Sequence, residues 1–408
     1  MPITKDTKDV TGILLSSENS WNLDSDNLNV FGIPELSITF ADGNTSLHRS
    51  FQHEIINAHP LDIIEAYTRQ GYLALGYISY DFLSYTDVGV KLRCRNFSRF
   101  PEVYFNLYKE QSVQLKDIFA VNCNKNDVHT LSGSEGNSDK ISWLNQGQYE
   151  KGISRILDYI KNGDVYQVNL SELGTMGGSY KPLETFFNYY NIQPVPYAMY
   201  LDCTDFRLLS GSMELFLQKR GNTLRTRPIK GTRERDCDPE IDIRICDELS
   251  NNVKEKAENL MIVDLMRNDL SRICKTGSVE VEKLFDIRSY STLHQMESTI
   301  NGKLKDDISF KDIIYCVFPP GSVTGAPKKR SIEIIDELEG HYRGPYCGCA
   351  GIIKPNGDFT LSVSIRTAVM RNEEIYYWAG SGIVYDSDPG SEYLETLLKS
   401  RAFLSSII

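Results

Sequence analysis

Two apolar periodicities are intermixed along this chain, and they never settle into the strand–helix–strand rhythm of a parallel sheet. Runs rich in Tyr, Ile and Leu, LSITFA from Leu36 and GYLALGYISYDFL from Gly71, read as strands. A helix is expected from Leu61 to Gln70, stopped by Gly71. Tyr149, Ile153, Ile156, Leu157 and Ile160 repeat at helical spacing up to Gly163, and VYQVNLS follows at once as a strand. Further strands are expected at 197–201, 206–209, 352–353, 359–369 and 375–380, and helices at 249–273, 327–338 and 389–403. The fold class predicted is α+β with antiparallel sheets.

Length and charge narrow the function. The 408 residues suit two domains or one large layered domain. The segment NCNKNDVHTLSGSEGNSDK is polar and aperiodic, so the organisation expected is 1–121, a linker or loop over 122–141, and a larger region over 142–408. A net charge of −11 argues against nucleic acid or a membrane surface as partner. No apolar run approaches the ~18 residues of a membrane span. The charged start MPITKDTKDV lacks a signal core, and nine cysteines without a CxxC suit a reducing compartment, so a cytoplasmic chain is expected. Cys347 and Cys349 read as small buried residues beside glycines rather than zinc ligands.

Five features could carry chemistry. Glu255 and Glu258 are three apart on an expected helix, as are Glu392 and Glu395. Such pairs are ordinarily a solvated face, but two converging would suit a hard cation such as Mg²⁺, and Glu258 stands in the apolar stretch AENLMIVDL. GSVTGAPKK opens a helix with Pro327 as its expected first residue, and its bare backbone donors would suit an anion as readily as a simple cap. Lys230 in RPIKGTRER has three arginines nearby, which would disfavour its ammonium form and expose a nucleophile. Glu214 in LLSGSMELFL should titrate high if it faces inward, as a general acid needs. Arg366 interrupts SVSIRTAV and could clamp a carboxylate or face water.

The ordered set GDVYQVNLS, PIKGTRER, EKAENLMIVDLMRNDL, FPPGSVTGAPKKRSIEIIDELEG, RGPYCG, SIRTAV and SGIVYDSDPGSEYLETLLK resembles the chorismate-utilising enzyme family over about residues 145–404. The resemblance implies a layered sandwich of two packed, mainly antiparallel sheets with outer helices. It implies Mg²⁺ held by Glu258 and Glu395, supported by Glu255 and Glu392. Chorismate would be met by Gln167, Thr232, Gly325, Tyr346, Arg366, Gly382 and Lys399. Lys230 discriminates within the family: members that aminate C4 carry Lys there, while anthranilate-forming members usually carry Ala. It would attack C2 as Glu214 protonates the leaving hydroxyl, on the way to 4-amino-4-deoxychorismate for 4-aminobenzoate and folate synthesis. Gln167 replaces the lysine with which other members activate water. A separate glutamine amidotransferase would supply ammonia, because no Cys/His nucleophile elbow is present. This chain departs from the family in having Met213 before Glu214, Glu172 after NLS, and His294 followed by Gln295 where the family places a histidine.

Overall fold

The structure, a computed structural model, describes residues 10–407 except 19, 22, 24–26, 50, 51, 94–99, 110–140, 143, 144, 291 and 292. The segment expected as a linker thus lies outside the described residues, apart from Ile141, which opens the two-residue strand Ile141–Ser142. Two sheets carry the fold. The nine-stranded sheet runs Gly325–Ala326, Gln167–Gly177, Glu374–Ile383, Thr367–Arg371, Arg207–Ser212, Tyr197–Asp202, Gly12–Leu15, Leu28–Phe31, with Ile141–Ser142 paired to Gln167–Gly177. The twelve-stranded sheet begins Ile229–Glu234, Leu293–Lys303, Thr223–Arg227, Leu215–Arg220 and Phe359–Val363. It continues through Cys349–Ile353, Tyr72–Ile78, Val103–Lys109, Leu36–Ala41, Asn44–Arg49 and Gln52–Ile56, and Glu280–Ser289 pairs with Leu293–Lys303. Around them lie helices α1 (Pro60–Arg69), α2 (Gln146–Lys161), α3 (Pro182–Ile192), α4 (Pro239–Asn251), α5 (Val253–Ile273), α6 (Phe310–Val317), α7 (Lys328–Leu338) and α8 (Pro389–Leu404). This is the expected α+β sandwich.

Strand alternation explains the layering. On Tyr197–Asp202, Tyr197, Met199 and Leu201 point into the core shared by the two sheets. Ala198 and Tyr200 point the other way, into a second apolar layer that includes Tyr189 of α3 and Phe403 of α8. The shared core also takes Ile38, Leu75, Phe105, Leu217 and Leu361 from the larger sheet, so strands before and after residue 122 bury one another.

Two expected elements are divided, and both breaks matter. The helix expected over 249–273 is two helices, because Asn252 leaves helical conformation and its side chain caps α5 by accepting from the Glu255 N–H at 3.0 Å. The strand expected over 359–369 splits at Ser364–Arg366, where Arg366 has φ 52°. Its first half lies in the larger sheet and its second half in the smaller. Residues 207–220 do the same, changing sheet across Met213 and Glu214. The two crossings are tied together: the Val363 N–H donates to the Glu214 carbonyl at 3.0 Å, and the Ser212 hydroxyl to the Val363 carbonyl at 2.6 Å.

Two N-terminal strands, Tyr72–Ile78 and Val103–Lys109, lie in the interior of the larger sheet. Gly76 lies opposite Gly351 on one side and Phe105 on the other. A Cβ there would stand 2.1 Å from the Tyr104 carbonyl oxygen and 2.6 Å from Phe105 Cα. Gly76→Ala therefore has to open a central ladder, and is expected to cost more than about 2 kcal/mol, read as a lowered urea midpoint.

Candidate active site

A cavity of about 630 Å³ opens where the chain changes sheets. Lys230 reaches it because of a local irregularity. The strand Ile229–Glu234 pairs Ile229 with Glu297 and Thr232 with Gln295, and the register slips between them. Gly231 sits in the slip at φ 84°, so the bulge turns Lys230 into the cavity. A Cβ on Gly231 would press on the Glu255 carboxylate and Leu249, each 3.0 Å away.

The neighbours of Lys230 differ from expectation. The three arginines do not crowd it: Arg227 donates to the Tyr197 hydroxyl at 3.1 Å, Arg233 to Glu255 at 3.0 Å, and Arg235 to Asp242 at 2.6 Å. The charges that feel Lys230 are the carboxylates of Glu214, Glu258 and Glu395. Glu214 is buried at the sheet crossing rather than mid-strand. Burial pushes its carboxyl up to about 7, against the opposing pull of a Ser322 hydrogen bond and the Lys230 charge.

Two helix starts meet across the opening. Glu255 and Glu258 come from the first turns of α5, Glu392 and Glu395 from those of α8, and all four line the cavity. Burial raises the Glu258 carboxyl above its ordinary value despite Lys230, while Lys399, 2.7 Å from Glu395, holds that carboxyl low. Glu255 pairs with Arg233, and Glu392 accepts from Ser387 at 2.7 Å. Among the described residues no three His, Cys, Asp or Glu side chains are gathered into a ready metal cluster. The oxygen donors and their net charge nevertheless fit a hard dication that would draw them together from these partners.

Thr232, Tyr346, Arg366, Gly382 and Lys399 line the same cavity. Tyr346 is stacked on Trp378 at 6.2 Å, and Arg366 donates to the Lys399 carbonyl. Gln167 and Gly325 are placed differently. Gly325 bridges to Val168 in the two-residue strand Gly325–Ala326, with no room for a Cβ beside the Gln167 carbonyl. α7 starts one residue later than expected, with Pro327 as its cap. Gln167 is fully buried just behind Gly382, and neither end of its amide has a partner. A Cβ on Gly382 would lie 2.9 Å from Lys230 Nζ and 3.2 Å from Gln167 Nε2, so this glycine leaves the space in front of both.

Further residues border the cavity without having been singled out for this role, among them Asn169, Met213, Gln295 and Ser322. Asn169 is two residues from Gln167 on one strand, and that spacing was its available signal. Gln295, buried and donating to Met213 Sδ, faces the cavity. Adjacent His294 points to the strand's other side, 2.8 Å from both the Ser289 hydroxyl and the Asp242 carboxylate. Glu172, the other departure noted, has a carboxyl raised by burial to about 7 and lies outside the cavity lining.

The sequence matches the chorismate binding enzyme family over residues 13–405. It is 35% identical to anthranilate synthase component 1 of Saccharolobus solfataricus over 86% of this chain and 87% of that one. It is 34% identical to aminodeoxychorismate synthase component 1 of Bacillus subtilis over 81% of this chain and 75% of that one. Anthranilate synthase component I from Streptococcus pneumoniae superposes with a TM-score of 0.75 at 25% identity, covering 96% of this chain and 92% of that one.

The raised Glu214 carboxyl has a stability consequence. The folded protein keeps this proton up to about pH 7, whereas the unfolded chain releases it near the ordinary value of 4.5. The penalty for folding therefore grows as pH rises between those values and is constant above them. Glu214→Gln should gain stability over the wild type at pH 8, on the order of 3 kcal/mol, and little at pH 4. Urea denaturation at the two pH values checks this.

Proposed function

This chain belongs to the chorismate-binding enzyme family, and on that premise we propose that it aminates chorismate at C4, forming 4-amino-4-deoxychorismate. The observation that carries this reading is the Lys230 amine, turned by a bulge into a cavity where it meets the Glu214 carboxyl.

In this reading Lys230 reacts as the neutral amine, its ammonium having released a proton to solvent; the nitrogen bonds to C2 of the ring, the ring double bonds shift, and the C4–oxygen bond breaks. Glu214, which burial keeps protonated to about pH 7, hands its proton to the departing hydroxyl, which leaves as water. Ammonia then bonds to C4, the double bonds shift back, and the bond from C2 to Lys230 breaks. The proton shed by the incoming ammonia restores the balance. Arg366 and the Tyr346 hydroxyl supply donors for the substrate's carboxylates, and Gly382 leaves space for the ring beside the lysine. Glu258 and Glu395, aided by Glu255 and Glu392, would hold Mg²⁺, which when bound supplies positive charge for a carboxylate of the dianion. Gln167, a neutral amide, has no basic group with which to activate water.

The relatives named component 1 support a separate partner subunit, and we assign it the supply of ammonia from glutamine. No described helix is long and apolar enough to cross a membrane. The setting proposed is cytoplasmic 4-aminobenzoate and folate synthesis. The relatives named anthranilate synthase favour a second reading, amination at C2 followed by loss of pyruvate.

Product analysis separates the two. Chorismate, Mg²⁺ and ammonium are incubated with the protein, with and without an aminodeoxychorismate lyase. 4-Aminobenzoate formed only with the lyase is expected; anthranilate formed without it would overturn C4 amination. Lys230→Ala should lose the C4 product by at least about a hundredfold or divert amination to C2. Glu258→Gln should raise the Mg²⁺ needed for half-maximal rate by about tenfold or more, and an unchanged titration would remove it from the metal site.

A further inference from the structure

Behind the cavity lies an ion pair that the chemistry above does not use. Glu339 and Arg343, four residues apart at the end of α7, are each about 1% exposed. Both arms of the guanidinium are engaged. Nε and Nη2 donate to the two Glu339 oxygens at 2.9 and 2.6 Å. Nη2 also donates to the Asn169 carbonyl at 2.7 Å, and Nη1 to the Val323 carbonyl at 2.8 Å. The guanidinium lies 4.7 Å from the centre of the Tyr80 ring. Glu339 in turn accepts from the Ser171 N–H and hydroxyl at 2.8 and 2.9 Å. Burial alone would raise the Glu339 carboxyl; Arg343 outweighs it, so the pair stays ionised.

Stability is a poor reason for such a pair, since apolar residues of like volume do as well or better. Its contacts suggest another reason. Arg343 itself does not line the cavity, yet both carbonyls it grips belong to residues that do, Asn169 and Val323. Ser322 immediately precedes Val323 in the tight turn Gly321–Val323, and Ser322 and Glu214 line the same cavity, where a Ser322 hydrogen bond opposes the upward push of burial on the Glu214 carboxyl. Tyr346, also on the wall, folds back with its N–H on the Arg343 carbonyl at 3.1 Å.

We propose that Arg343 is a positioning residue: its guanidinium locks the turn Gly321–Val323 to the strand Gln167–Gly177 and thereby holds Ser322 against Glu214. The grip of Arg343 on the Val323 and Asn169 carbonyls is read from contacts, while the general-acid role of Glu214 rests on the proposed amination. The groups facing Glu214 are the Lys230 amine, the Ser322 hydroxyl, the Ile229 backbone and, from the segment after Arg343, the Cys347 thiol. Lysine could not replace Arg343, because one ammonium cannot serve both carbonyls and two carboxylate oxygens in a plane.

The test follows the titration of the Glu214 carboxyl by infrared difference spectroscopy, with Glu214→Gln as the subtraction, together with kcat and KM for chorismate. The proteins are the wild type, Arg343→Lys, the double variant Arg343→Met/Glu339→Leu, and Ser322→Ala. The double variant replaces the pair with apolar side chains, so it keeps the core filled if the single variant fails to fold. Loss of the Ser322 donor should move the Glu214 midpoint up by about half a unit or more in every variant. In the Arg343 variants kcat should fall by about tenfold or more, with KM changed less than kcat. A folded Arg343 variant with the wild-type midpoint would overturn the clamp, and an unshifted Ser322→Ala would overturn its route through Ser322. If the wild type fails to aminate chorismate, the functional reading falls and the titrations still decide the clamp.

Discussion

The two sheet crossings govern everything else in this molecule. A strand that leaves one sheet for another must break its ladder, and here two strands do so side by side, at Met213–Glu214 and Ser364–Arg366. The freed backbone groups cannot stay unpaired in the interior, so the crossings bond to each other: Val363 N–H to Glu214 C=O, Ser212 hydroxyl to Val363 C=O, Gly211 N–H to Arg366 C=O. The separation they create is the floor of the cavity. Polar residues placed at these breaks, Glu214 and Arg366, are therefore carried to one place by topology, although 152 positions separate them in sequence.

The electrostatics of the site follow from that position. Glu214 is far enough from water that its charged form is penalised, while the half-buried Lys230 is turned by a bulge against three carboxylates. The arginines that accompany Lys230 in sequence are absorbed by Tyr197, Glu255 and Asp242. Strand alternation cannot explain this by itself, since Lys230 lies exactly where the register slips. The bulge, with Gly231 at positive φ, decides which way the amine points.

What the sequence disclosed, and what it hid, divides along the same physics. Helix faces were readable: Glu255 and Glu258, Glu392 and Glu395 do share faces and do converge, because 3.6-residue periodicity is a local property. The interrupted strand at Arg366 was read as continuous because β-branched residues flank it, and nothing local announces a change of sheet. The break at Asn252 is a cap that a long helical pattern conceals. Ser322 and Gln295 reach the cavity through pairings with strands and turns distant in sequence, and no spacing encodes those, whereas Asn169 lies two residues from Gln167 on one strand. The resemblance supplied the order of the motifs, and the structure adds that Gly325 packs its backbone closely against Gln167.

Overall similarity also has a limit that the structure makes intelligible. Most of the chain builds two sheets, their shared core and the helices over them, and any family member that binds the same ring has reason to keep these. On the proposed reading, which carbon accepts nitrogen depends on far less: the side chain at one bulge, the space left by Gly382, and the proton held by Glu214. Relatives named for different products accordingly share about a third of their residues with this chain. On the proposed reading, Lys230 is the side chain that decides between them. On that reading an alanine in its place would leave the sandwich, the crossing and Glu214 intact, and would remove only the proposed nucleophile.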